Sequence, residues 1–217
     1  LRKAKQLGMK TYALVNVPSS TMTREADVLM PTKAGPEIAV ASTKAFLSQL
    51  ATLYLITHDS TELKDVPERL KTAINNAEEI RRIAEKYKDC KNFLFIGRGK
   101  NYPVALEGAL KLKEISYVHA EGYPAGEMKH GPIALVSKDT AILAIAVRDE
   151  SYEKMISNIQ EVKAREGRII AIATAGDEEI KQHATDVIYV PQTDHYPFLT
   201  SAVMQLFAYY TADALGR

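Results

Sequence analysis

Cysteine is nearly absent from this chain. Cys90 is the single thiol among 217 residues; it has no partner for an internal disulfide and no Cys-x-x-Cys neighbour, so a reducing, cytoplasmic setting is the natural expectation. Charge of one sign is also missing. Lysine and arginine total 28 against 27 acidic residues, a formal net charge of +1, which gives no support to a nucleic-acid groove or a polybasic membrane surface. No apolar run approaches the roughly 20 residues needed to span a bilayer, and no signal-peptide pattern opens the chain, so no membrane partner is expected. His58, His183 and His195 are scattered, and neither they nor His119 recur with Cys, Asp or a second His at metal-ligand spacing. No structural zinc is therefore expected. GRGKN is too short for a phosphate-binding loop, lacks its Lys-Ser/Thr ending and misses the dinucleotide-binding spacing, so neither ATP nor NAD is implied. No Gly-x-Ser-x-Gly elbow is present, and no cofactor is expected.

What is present is an ordinary globular composition, 46% hydrophobic and 25% charged, organised as alternating strands and helices. LRKAKQLG reads as the second half of a helix with Gly8 as its C-cap, and helical periodicity is still running at YYTADALGR. Both ends suggest a piece of a longer polypeptide. KTYALVNV and ADVLMP read as strands, residues 37 to 57 as a mostly buried helix with Glu37 in its first turn, and residues 67 to 88 as a charged amphipathic helix. KNFLFIGRG reads as a strand and glycine turn, followed by a helix from about Tyr102 to Val118 and a glycine-rich loop. The apolar runs IALVS and AILAIAV come next, then a helix over about 151 to 165. The strands GRIIAIAT and TDVIYVP and a helix over about 197 to 214 complete the chain. Near-continuous apolar strands between helices predict a parallel sheet covered on both faces.

An internal repeat bears on the domain count. KTYALVNV followed by ADVLMPTKAGPE parallels GRIIAIAT followed by TDVIYVPQTDHY, with Thr11 to Asp27 spaced as Ile170 to Asp186; Gln49-Leu50 and Tyr54 recur as Gln205-Leu206 and Tyr210. Two homologous α/β domains in tandem are expected. The first would be truncated (residues 1 to 60) and the second nearly whole (residues 90 to 217), joined by a helical segment (residues 61 to 89).

The chemistry is expected along KLKEISYVHAEGYPAGEMKHG. Glu107, Lys111, Glu114 and Val118 are spaced by four, three and four, which puts the charged three on one stripe of a helix. Ion pairing on a solvated surface is one explanation. A site is the other: this helix follows a strand and glycine turn at the end where open α/β sheets place ligands, and a partly enclosed Glu114 could act as a general base. Lys111 could then orient a substrate oxygen, and His130, between Gly126 and Gly131, could titrate near neutrality or simply lie on the surface. In GPEIAVASTKAF, Glu37 complements a helix dipole, while Ser42, Thr43 and Lys44 either bond back to the chain or face a ligand rich in hydroxyls and phosphate.

GPEIAVASTKAF, GRGKNYPVALEGALKLKEISYVHAEGYPAGEMKHGP and the repeat together resemble the isomerase region of the glutamine:fructose-6-phosphate aminotransferase (isomerizing) family, the glucosamine-6-phosphate synthases, built of two SIS (sugar isomerase) domains. The resemblance covers essentially the whole chain. It implies an α/β fold of two tandem SIS domains with parallel sheets flanked by helices, the first truncated. It also implies conversion of fructose 6-phosphate and glutamine-derived ammonia to glucosamine 6-phosphate by the intact enzyme, a cytoplasmic homodimer with a glutaminase domain in the same chain.

By the same resemblance Glu114 is the base that moves a proton between C1 and C2, with Lys111 contributing to the site. His130 opens the sugar ring and is supplied to the neighbouring subunit. Val40, Ser42 and Thr43 match positions that bind the sugar, which would be fructose 6-phosphate, glucose 6-phosphate or glucosamine 6-phosphate. Glu37, Lys44 and Glu107 are supporting candidates. The family's phosphate loops would lie upstream of residue 1 and its imine-forming lysine beyond Arg217, so the isolated segment is expected to be inactive. A glutaminase-independent sugar-phosphate isomerase and a non-catalytic sugar-phosphate-binding or dimerisation module are the alternatives.

Overall fold

The computed structural model describes all 217 residues and contains two compact units, Leu1–Lys64 and Asp65–Arg217. In the first unit, α1 (Arg2–Gln6) leads to β1 (Tyr12–Val15), α2 (Thr21–Glu25), β2 (Val28–Pro31) and α3 (Lys44–Tyr54). Strands β1 and β2 pair in parallel, Tyr12 facing Val28. Their entry is fixed by polar bonds: the Thr11 amide and hydroxyl donate to Asp27 at 2.8 and 2.7 Å, and Lys5 lies 2.8 Å from the same carboxylate.

Helix α3 differs from expectation in two ways. It begins at Lys44, seven residues after Glu37, and its one buried residue is Ala45. Residues 37 to 43 are irregular because the Glu37 carboxylate takes the amides of Thr43 and Ala45 from outside the helix, satisfying donors that the first turn leaves free. Apolar groups at helical spacing do not become buried unless another layer covers them, and most of α3 remains half-exposed.

The second unit contains α4 (Val66–Ile74), α5 (Ala77–Tyr87), β3 (Asn92–Gly97), α6 (Asn101–Ser116), β4 (His119–Pro124), β5 (Thr140–Ala146), α7 (Tyr152–Lys163), β6 (Arg168–Thr174), β7 (Asp186–Val190) and α8 (Tyr196–Ala214). All five strands are parallel, in the order β4-β3-β5-β6-β7. The continuous apolar run of β5 is buried at every residue, as expected for a strand covered on both faces. On one face Leu94, Ile96, Ile142 and Ala144 pack with Met155, Ile159 and Val162 of α7. On the other, Phe93 meets Phe207 of α8 edge-on at 6.0 Å. A Cβ on Gly108 would fall 2.9 Å from Phe95 and 2.3 Å from Met204, so glycine is what allows α6 to approach both the sheet and α8.

Three further departures have local causes. The charged helix expected over 67 to 88 divides at Asn75-Asn76 into α4 and α5, both of which pack against α8. HAEGYP, read within a loop, is the edge strand β4. IALVS is a 3-10 helix over Pro132–Leu135, entered through Pro132, whose fixed φ suits the first position of a helical turn.

Candidate functional site

Helix α6 starts at the carboxyl edge of the sheet, but it runs back across it. Sixteen residues at about 1.5 Å each cover about 24 Å, so Glu114 lies toward the opposite edge, where Asn92 pairs with His119. The carboxyl-edge argument for the stripe therefore applies to the helix start and not to Glu114. At the carboxyl edge itself, between β3 and β5, where this strand order reverses, the loops are tied by the molecule's own bonds. Asn101 donates to Asp149 at 2.9 Å and Arg98 to Asn158 at 2.7 Å.

The stripe is an enclosed charge cluster. Lys111 is only 3% exposed; its ammonium donates to Glu114 at 2.6 Å and lies 3.5 Å from Glu107. Burial pushes the Glu107 carboxyl above its ordinary value, and the charge of Lys111 offsets only part of that rise. Glu114 is the more accessible of the two carboxylates, so the cluster presents one carboxylate outward on a buried cation. A solvated i,i+4 pair is worth a few tenths of a kcal/mol; a cation removed from water must be compensated by its partners and is costly to leave without them.

His130 ends a 3-10 helix over Ala125–His130 that follows β4, and its side chain is exposed. Ala125 and Met128 of that segment pack on the α7 face of the sheet, whereas α6 covers the other face. A single chain thus separates His130 from Glu114 by the thickness of the sheet.

The first unit holds an open cleft of about 790 Å³ lined by Asn16, Lys33, Gly35, Glu37, Ser42 and Gln49, among others. Glu37 accepts from Ser42 Oγ at 3.1 Å, from the Thr43 amide at 2.7 Å and from the Ala45 amide at 3.2 Å. Burial alone would raise its pKa, but these donors outweigh burial and hold the carboxyl below its ordinary value. Val40 is 93% exposed, and Thr43 and Lys44 are also exposed. Sequence reading did not single out Asn16. Its side-chain oxygen accepts from Thr32 Oγ1 and the Ala34 amide, both at 3.0 Å, and its amide donates to the Gly35 carbonyl at 2.7 Å. An asparagine directly after a strand, ahead of Pro18-Ser19-Ser20, was the available signal. No group of three or more His, Cys, Asp or Glu is arranged to hold a metal ion, and no helix is long and apolar enough to cross a membrane.

The SIS domain family model matches residues 1–59 and 86–213. This chain belongs to the SIS domain family. Over 226 aligned positions it is 49% identical to glutamine–fructose-6-phosphate aminotransferase (isomerizing) of Aquifex aeolicus (strain VF5), covering 100% of this chain and 38% of that protein. Among solved structures, the C-terminal domain of glucosamine-fructose-6-phosphate aminotransferase from Francisella tularensis superposes with a TM-score of 0.91 at 38% identity, covering 100% of this chain and 66% of that one. Tagatose-6-phosphate ketose/aldose isomerase from Escherichia coli shares the SIS fold, with a TM-score of 0.81 at 19% identity over 96% of this chain and 61% of that one. The chain thus spans 38% of the length of the curated Aquifex aeolicus aminotransferase.

Proposed function

We propose that this chain is the isomerase part of a glutamine–fructose-6-phosphate aminotransferase (isomerizing), which in full-length form converts fructose 6-phosphate and glutamine-derived ammonia to glucosamine 6-phosphate. The observation that carries the reading is Lys111, a cation nearly removed from water and bonded at 2.6 Å to a partly accessible carboxylate. That arrangement suits a base whose orientation is held by a fixed neighbour. In this reading Glu114 takes a proton from one of the carbons C1 and C2, the electron pair passes into the adjacent carbonyl or imine, and the protonated carboxyl returns the proton to the other carbon. Lys111 stabilises the carboxylate before and after the transfer, and Glu107 shares its charge.

His130 opens the sugar ring. Its separation from Glu114 within one chain supports a homodimer in which His130 of one copy serves the Glu114 of the other. Val40, Ser42 and Thr43 contact the sugar, with Glu37 and Lys44 supporting them. The setting is the cytoplasm, the partner in full-length form is a glutaminase domain, and no cofactor takes part.

The test is calorimetric titration of the full-length protein with glucose 6-phosphate, with glucose and inorganic phosphate as controls. Saturable binding of the sugar phosphate alone is expected. Absence of binding, or binding of phosphate with equal affinity, would overturn the reading.

A further inference from the structure

Glu37 caps α3 from seven residues ahead of its first residue. Its two oxygens are divided between two tasks. Oε1 accepts from the amides of Thr43 and Ala45, and Oε2 accepts from Ser42 Oγ at 3.1 Å. A carboxylate has only acceptor capacity, and a serine hydroxyl has one proton and two lone pairs. The contact between them therefore has one polarity: Ser42 gives its proton to Glu37 and keeps its lone pairs for whatever lies on its other side. Ser42 does not bond back to the chain four residues earlier, and it lines the cleft of the first unit beside Glu37, Lys33 and Gln49.

We propose that Glu37 is a positioning residue that makes Ser42 a hydrogen-bond acceptor, so that this point of the cleft reads a ligand O–H or N–H and rejects a phosphate or carbonyl oxygen. The inference rests on the sugar-phosphate reading and deepens it. Among the groups of a sugar phosphate, it assigns Ser42 to a hydroxyl or amine of the carbon chain, and leaves the phosphate to donors elsewhere. It also separates two roles inside GPEIAVASTKAF: Glu37 sets the direction of a bond, and Ser42 makes the contact.

The experiment compares wild type, Glu37→Gln, Ser42→Ala and the double variant of the full-length protein by calorimetry with glucose 6-phosphate and its monodeoxy analogues. Glutamine keeps an oxygen for the Thr43 and Ala45 amides but turns an NH₂ donor toward Ser42, so the loop stays capped while the polarity of Ser42 is lost. Affinity for glucose 6-phosphate is expected to fall about tenfold or more in Glu37→Gln, as for a buried polar contact left unmade. Ser42→Ala should lose about as much, the double variant should lose no more than either single one, and one deoxy analogue should bind all four proteins alike. Should Glu37→Gln not fold, the deoxyfluoro analogues of glucose 6-phosphate keep the test on wild type: fluorine accepts but cannot donate, so at the position that Ser42 reads the fluoro analogue should bind no better than the deoxy one, and restored affinity would overturn the proposal. Wild-type affinity in Glu37→Gln, or an equal loss for every analogue, would overturn the proposal and leave the sugar-phosphate reading standing. Failure of wild type to bind glucose 6-phosphate would remove that reading and this inference together.

Discussion

The two units use one strand-pairing rule and reach different degrees of burial. Tyr12 of β1 faces Val28 of β2, and Ile170 of β6 faces Asp186 of β7, the same interval along the chain. Both pairings are entered through an aspartate bound by a helix cation: Asp27 lies 2.8 Å from Lys5 of α1, and Asp186 lies 2.6 Å from Lys86 of α5 and accepts the Tyr87 hydroxyl at 2.7 Å. Yet β6 is buried along six of its seven residues, while β2 alternates between half-exposed and exposed. The interval sets register; cover sets burial. In the second unit α7 covers one face and α6 and α8 the other, whereas Tyr12 and Leu29 of the first unit stay exposed.

The largest break in this comparison comes from the best-covered charge. Lys111→Met removes the cation between Glu107 and Glu114 and should cost about 3 kcal/mol or more in urea unfolding, because two carboxylates then lose a buried partner. A smaller pair of changes tests cover directly. Ile188 of β7 and Leu29 of β2 hold equivalent places in the repeat, the first fully buried and the second 45% exposed. Ile188→Ala should cost about 2–5 kcal/mol and Leu29→Ala less than about 1 kcal/mol; equal losses would show that the repeat position, and not its cover, carries the energy.

The smallest effect concerns acid. Hydrogen bonding to Lys5, then to the Thr11 hydroxyl and amide, holds the Asp27 carboxyl well below its ordinary value. Its contribution to stability is complete above the unfolded pKa of about 3.9 and is lost as pH falls through the depressed folded value. Asp27→Asn should therefore be less stable than wild type near neutrality, and the gap in denaturation midpoints should close in strong acid.

Much of this was legible in the residues themselves. The interval between KTYALVNV and ADVLMP repeats in GRIIAIAT and TDVIYVP, and the structure pairs both sets in the same register. The 3.6-residue period likewise placed Glu107, Lys111 and Glu114 on one stripe, because charged residues on a helix meet at those spacings whatever covers them. Burial of that stripe was not legible, since it depends on neighbours far along the chain. Strand β4 was hidden by Gly122 and Pro124, which look like turn residues. A Cβ on Gly122 would fall 2.8 Å from Leu106 Cα, so this glycine permits close approach of α6, and an edge strand tolerates the proline. The start of α3 was hidden by a side-chain bond that no periodicity reveals: apolar spacing runs on through residues 38 to 41, but Glu37 takes the amides of Thr43 and Ala45 that mark the true first turn. Nor does sequence spacing reveal that β4 leads His130 to the other face of the sheet from Glu114.

The most direct test of Glu114 as the base is solvent exchange at the sugar. Glucose 6-phosphate is incubated with the full-length protein in heavy water, and deuterium at C1 and C2 is followed by NMR, with binding of the same sugar measured for wild type and Glu114→Gln. Wild type is predicted to exchange the carbon-bound proton, and Glu114→Gln to bind the sugar but exchange it slower by about 10²-fold or more. Exchange at the wild-type rate in a Glu114→Gln protein that still binds glucose 6-phosphate would contradict the assignment.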